Sequence, residues 1–336
     1  MRRVTVMPDR VVVVEAERPV PAPHEVLVES RVMGVCGSDT HAAAGQHPLV
    51  SPPFNPGHEV VGVVRERGPA VTEVAVGDRV IVEPPLPCWA CKPCRAGRSN
   101  LCENLVFFGC GYAQGGMADY FTIPANRVHR LPDELDDFQS LLIEPLSTPV
   151  HAVAISGGVE GRTVAILGAG TIGLLVLAAV RHGGASRVVV TDMLAGKRDR
   201  ARRLGADAVV DAGRDDMVEQ VRAELGESAD VVFDCVAIQS TMDQAVALAL
   251  RGGTVMVVGV PPRPVTLPLV LVQDAQLRVQ GSATYLPEDY ATATEIIASG
   301  LVRVEDFVTA RYPLEQAAAA FAASAGGEEV KVVLTR

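Results

Sequence analysis

The chain has 336 residues, 48% of them hydrophobic and 21% charged, with a net charge of −10 at pH 7. That length carries about two domains with ample core, and the acidic balance with no basic cluster excludes nucleic acid as a partner. The longest apolar run, Val164 to Val180, is interrupted by Gly168, Gly170 and Gly173, which argues against a membrane span.

Residues 1 to about 145 are rich in Val, Gly and Pro. Short runs at Val11–Val14, Val26–Val28, Val60–Val64 and Val80–Val82 are bounded by Pro, Gly or Asp. This predicts many short strands joined by turns, a barrel-like β domain. Inside it, Cys88, Cys91, Cys94 and Cys102 read C-x2-C-x2-C-x7-C, with Pro93, Gly97 and Asn100 loosening the backbone. Four close thiolates on a turn-rich lobe match a closed tetrahedral zinc site, because Zn²⁺ takes soft sulfur ligands and short spacing makes loop closure cheap. A site saturated by four protein ligands does no chemistry. The opening residues MRRVTVMPDR contain no apolar signal segment, so the cysteines are expected to be thiols of a reducing cytoplasm rather than disulfides.

The pattern changes near Pro149. From Thr163 apolar strands alternate with helices: Val164–Leu167, then a helix over 172–181; Val188–Thr191, then a helix over 197–204; then strands at Val231–Cys235, Val255–Val258 and Leu277–Gln280. Such alternation predicts βαβ units and a doubly wound parallel sheet, hence an α/β class. Helices near 290–299 and 314–325 and a strand at Lys331–Leu334 complete the chain.

Gly168-Ala169-Gly170-Thr171-Ile172-Gly173 is G-x-G-x-x-G between a predicted strand and a predicted helix. Gly168 permits the tight turn, Gly170 lets backbone approach a pyrophosphate at the helix N-terminus, and Gly173 lets helix and strand pack closely. Asp192 follows at the end of the next strand; its carboxylate accepts bonds from a ribose 2′-OH and repels a 2′-phosphate, which favours NAD. Lys197 and Arg198 nearby keep NADP open.

Three further segments carry metal-ligand types: Cys36-Gly37-Ser38-Asp39-Thr40-His41, Gly57-His58-Glu59, and Ile143-Glu144-Pro145. A mixed Cys, His and carboxylate set suits a catalytic zinc with one position open. Singly, each residue reads as an ordinary core or solvated side chain.

The run from Gly57 to Val71, G-H-E-x2-G-x5-G-x2-V, resembles the signature of zinc-dependent alcohol dehydrogenases of the medium-chain dehydrogenase/reductase superfamily. The cysteine spacing, the glycine loop and Gly77-Asp78-Arg79-Val80 resemble that family too. The resemblance implies a GroES-like β-barrel catalytic domain over 1–148 with its zinc lobe at about 84–106, a Rossmann NAD-binding domain over 149–281, and a return segment over 282–336. It implies that Cys36 and His58 ligate catalytic zinc, that Glu59 exchanges on and off it, and that Asp39 orients His58. Glu144, where many alcohol dehydrogenases place a Cys, looks like the polyol (sorbitol-type) branch, in which this Glu reaches zinc directly or through water. Ala42, where the sorbitol enzymes resemble Tyr, departs from that pattern.

Two zinc ions per chain, NAD and a small-molecule alcohol are therefore expected. The resemblance also implies a cytoplasmic homodimer or homotetramer. Zinc acidifies a bound hydroxyl, and the proton leaves through Ser38 and His41 or through water on Glu59. Threonine- or butanediol-type substrates remain alternatives within the branch. A zinc-free quinone or enoyl reductase is opposed by Cys36, His58 and Glu144 together. His24, His47, His129, His151 and His182 read as bystanders, with His47 placed to line the substrate entrance.

Overall fold

The computed structural model describes residues 1–336 as two compact units, Met1–Glu144 with Arg303–Arg336, and Pro145–Val302. The first unit is built on a seven-stranded sheet. Its main path runs Val308–Pro313, Lys331–Thr335, Glu25–Val35, Glu59–Arg67, Arg79–Val82 and Val128–Arg130, with Tyr120–Pro124 also pairing with Glu25–Val35. Every pairing is antiparallel except Val308–Pro313 on Lys331–Thr335. The valines that suggested short strands close over a core containing Met33, Phe108, Met117 and Phe121, each fully buried. Branched side chains suit such pleated, half-buried surfaces.

Two registers position chemistry in this unit. Gly34 pairs with Glu59 on one side, and Val35 pairs with Val332 of the return strand on the other. A second device is small: Pro85–Leu86 pairs antiparallel with Val106–Phe107, so the cysteine lobe begins and ends at one neck.

The second unit is a six-stranded, all-parallel sheet ordered Ala208–Asp211, Arg187–Asp192, Thr163–Leu167, Ala229–Asp234, Ala249–Val257, Arg278–Gly281. Thr163–Leu167 comes first in sequence yet lies inside the sheet. The winding reverses beside it, and that reversal opens a ligand crevice at the strands' carboxyl ends. The helix Thr171–His182 buries Gly173 to Val180, which explains a sequence too apolar for a surface helix.

Boundaries moved where local signals misled. The helix Ile143–Ile155 runs through Pro149, a residue that normally breaks a helix by removing an N–H and crowding the preceding turn. Here the flanking Leu146, Val150 and Ala152 are buried, and packing prevails. The helix Pro287–Ala298 belongs to the second unit, because it packs against Thr171–His182. The segment expected as one helix over 314–325 is a 3₁₀ turn, Leu314–Gln316, followed by the helix Ala317–Ala325.

Candidate active site and metal centres

Cys36 is the last extended residue before the helix Gly37–Ala43, and its N–H donates to Asp39 Oδ2 at 3.0 Å. His58 and Glu59 enter the neighbouring strand together. Cys36, His58 and Glu59 each offer a donor atom within 4.8 Å of the others. His58 is 4% and Glu59 1% exposed, so these groups are removed from water. His58 Nδ1, Glu59 Oε2 and Asp39 Oδ1 are all buried without a hydrogen-bond partner. Buried polar atoms are rarely left so: His58 Nδ1 and Asp39 Oδ1 face each other, and the open Glu59 Oε2 beside a thiol and an imidazole fits a metal ion.

The charges agree with that reading. Burial alone would lower the His58 imidazole, but the Asp39 carboxylate and then Cys36 hold its pKa well above the usual value. Burial raises the Asp39 carboxyl, opposed chiefly by His58. Asp39 Oδ1 stands 3.6 Å from His58 Nδ1, on the side expected of an orienting acceptor but beyond hydrogen-bond length. The Phe107 ring meets His58 edge-on at 5.6 Å.

The other expected site residues are distributed around this set. Glu144 is buried, and its charge acts on both His58 and Lys331, but it lies outside the compact donor trio. Ser38 is half-buried and His41 exposed. They stand three apart on one helix, a spacing that puts them on one face. His47 Nδ1 accepts the Leu49 N–H at 3.1 Å; burial, then the charges of His41 and His58, lower its pKa. Ala42 is fully buried in the core, so that position lines no pocket. Two of the bystander histidines are partners of buried carboxylates: half-buried His129 with Glu83 at 2.6 Å, and buried His151 with Asp289 at 2.9 Å.

Lys331, which no sequence motif marks, joins this set. Its Nζ lies 2.6 Å from Glu59 Oε1, with the Lys331 side chain 4% and the Glu59 side chain 1% exposed. Burial would lower the ammonium pKa, but Glu59 raises it above its ordinary value. A lone lysine opening an apolar strand, KVVL, was the available signal.

In the lobe, Cys88, Cys91, Cys94 and Cys102 form a second compact donor set. Backbone N–H groups already point at the sulfurs: Cys88 N to Cys102 Sγ at 3.2 Å, Cys91 N to Cys88 Sγ at 3.4 Å, and Asn104 N to Cys102 Sγ at 3.3 Å. The Ala90 and Cys91 amides pull the Cys88 thiol down to about 6, while burial and the neighbouring thiols push Cys94 up to about 12. All seven cysteines are free thiols.

The glycine loop sits at the carboxyl end of Thr163–Leu167. Gly168 has φ +94°, and a Cβ on Gly173 would fall 1.8 Å from Gly168 O, so neither position admits a side chain. Gly170 is different: a Cβ there would meet nothing within 4 Å, so its bareness leaves room for a ligand at the N-cap of Thr171–His182. Asp192 Oδ2 accepts the Ala169 N–H and Oδ1 the Leu194 N–H, both at 2.9 Å, fixing the carboxylate at the strand end with lone pairs to spare. Thr171 and Ile172 open the helix, and Lys197 is half-buried on the next one. Arg198 donates to the carbonyls of Asp192 and Met193 and pairs with Asp211. No helix is long and apolar enough to cross a membrane.

Two family models match: the alcohol dehydrogenase GroES-like domain over residues 22–133 and the zinc-binding dehydrogenase over residues 171–299. D-xylulose reductase A of Aspergillus niger is 33% identical over 330 residues, covering 95% of this chain and 92% of the relative. Among solved structures, a protein of Sinorhizobium meliloti 1021 assigned to the zinc-binding dehydrogenases and bound to NADP is 34% identical. It covers 100% of this chain and 99% of its own, with a TM-score of 0.92. Galactitol-1-phosphate dehydrogenase from Escherichia coli is 26% identical, covers 100% of both chains and has a TM-score of 0.91.

Proposed function

The chain belongs to the zinc-dependent medium-chain alcohol and polyol dehydrogenases, and from that premise we propose that it moves hydride between NAD and a secondary alcohol of a polyol, sugar or cyclitol. The observation that carries this is the buried trio of Cys36, His58 and Glu59, whose Glu59 Oε2 has no hydrogen-bond partner. Cys36 and His58 would hold the catalytic zinc, with the Glu59 carboxylate at its edge and Glu144 close by; the four lobe cysteines would hold a structural one. Zinc at the first site supplies Lewis acidity toward a substrate hydroxyl.

The protein's own groups do the rest. Ser38 and His41, on one helix face from half-buried to exposed, carry the released proton outward. His47 and His41 offer imidazole nitrogens to further hydroxyls, which suits a polyol better than a simple alcohol. A pentitol and its ketose are the first pair to assay, given the D-xylulose reductase relatives.

Asp192 favours NAD: a fixed carboxylate at the ribose end repels a 2′-phosphate, although the Sinorhizobium relative binds NADP. Asp192→Gly lowers the NAD preference about tenfold, on the order of 1.4 kcal/mol. A wild-type enzyme that already prefers NADP would overturn this role. Free thiols throughout suit a reducing cytoplasm. Leu269, Val270 and Leu271 are 68%, 78% and 53% exposed. They precede the edge strand Arg278–Gly281, and such a patch suits a homo-oligomer.

The deciding experiment joins a zinc count with a panel of polyols, cyclitols and amino alcohols assayed for NADH formation. Two zinc ions per chain with polyol-dependent NADH is the expected result. One zinc per chain, or no alcohol oxidised, would sink the reading.

A further inference from the structure

Glu59 and Lys331 come from strands that do not pair with each other. Both strands flank the strand Glu25–Val35: Glu59 lies opposite Gly34, and Lys331 immediately precedes Val332, which lies opposite Val35. Their side chains meet only because the strand between them is bare: a Cβ on Gly34 would lie 1.9 Å from Glu59 Oε2. The ion pair therefore bridges over a glycine, deep enough that neither charge has water as an alternative partner. Lys331 Nζ takes Oε1, and Oε2 is left buried and unpartnered over Gly34, in a carboxylate that lies in one compact donor set with Cys36 and His58.

We propose that Lys331 is a positioning residue that tethers Glu59 by one oxygen, so that the carboxylate stays at the edge of the metal site and does not close onto the position the substrate needs. An uncompensated buried carboxylate is strongly disfavoured. With Lys331 removed, the metal is the nearest remaining cation, and Glu59 turns to it. The metal is then held more firmly and its open position is lost. This rests on the assignment of Cys36, His58 and Glu59 to a metal.

The test uses the full-length enzyme with Co²⁺ exchanged into this site, and reads the visible spectrum, the rate of release to dipicolinic acid, kcat and KM. In Lys331→Met, release slows about tenfold, kcat falls by a similar factor and the cobalt spectrum shifts, whereas Lys331→Arg stays within about threefold of wild type. A second comparison removes dependence on the stability of Lys331→Met: Glu59→Gln/Lys331→Met, which removes both buried charges, releases cobalt at the rate of Glu59→Gln alone. Wild-type release and spectrum in Lys331→Met, or a difference between the double variant and Glu59→Gln, would overturn the tether. Cobalt that never enters a site dependent on Cys36 would instead overturn the metal assignment, a separate failure.

Discussion

The two thiol-containing donor sets of the first unit are opposites in construction. The lobe gathers Cys88, Cys91, Cys94 and Cys102 from one short segment closed by the Pro85–Leu86 and Val106–Phe107 neck, and backbone amides point at its sulfurs. The active-site set draws Cys36 and Asp39 from a helix start, His58 and Glu59 from a strand start and Lys331 from the return strand, and leaves Asp39 Oδ1, His58 Nδ1 and Glu59 Oε2 without hydrogen-bond partners. The first arrangement satisfies itself and completes a closed shell. The second stays unsatisfied until something binds, and that incompleteness is what an open catalytic position requires.

The largest effects should separate these sites by kind. Cys36→Ser or His58→Ala lowers turnover by about 10³-fold or more, since several kcal/mol of Lewis-acid stabilisation is lost. The zinc count falls by one per chain and the fold survives, as circular dichroism will show. Wild-type turnover in either variant would break the comparison. Cys94→Ser does the reverse. Metal binding at a closed site is coupled to local folding, so we expect a loss of about 3 kcal/mol, roughly 6–12 °C in melting temperature for a domain of this size. An unchanged melting temperature with full zinc would show that the lobe binds no metal.

Legibility in the sequence follows the same division. The lobe was readable because its ligands are neighbours in the chain. The glycine loop was readable for the same reason, with strand, turn and helix contiguous. Cys36 and His58 were found through a family signature and not through spacing. Lys331 was not found, because 272 residues separate it from Glu59 and only the strand register unites them. Glu144 shows the converse. Its segment promised a ligand, and it is buried with its charge acting on His58, yet it stands outside the compact trio. Sequence gave its identity and neighbourhood but not the last few ångströms.

A chelator sharpens the contrast at intermediate scale. Carboxylate is a more exchangeable ligand than thiolate, so zinc at the Cys36 site leaves at least about tenfold faster than zinc in the lobe. Glu144→Ala accelerates that first loss and impairs polyol oxidation. Simultaneous loss of both ions, with Glu144→Ala fully active, would refute a metal role for Glu144.

The smallest expected effect lies within the lobe itself, in protein stripped of zinc. Cys88 is exposed, and the Ala90 and Cys91 amides bring its thiol to about 6, whereas Cys94 is buried and pushed up to about 12. The thiolate is the reactive form. At pH 7.5 Cys88 is therefore largely ionised and Cys94 almost wholly protonated. Iodoacetamide followed by peptide mass spectrometry should label Cys88 at least about tenfold faster than Cys94. The sign of the pH dependence follows from the depressed value: labelling of Cys88 falls as pH drops through 6 and levels off above it, while Cys94 gains reactivity only in strong alkali. Zinc abolishes the difference by occupying both sulfurs. Equal labelling at pH 7.5 in the stripped protein would mean that the amides do not hold the Cys88 sulfur, and the lobe would then lose its claim to be organised before metal arrives.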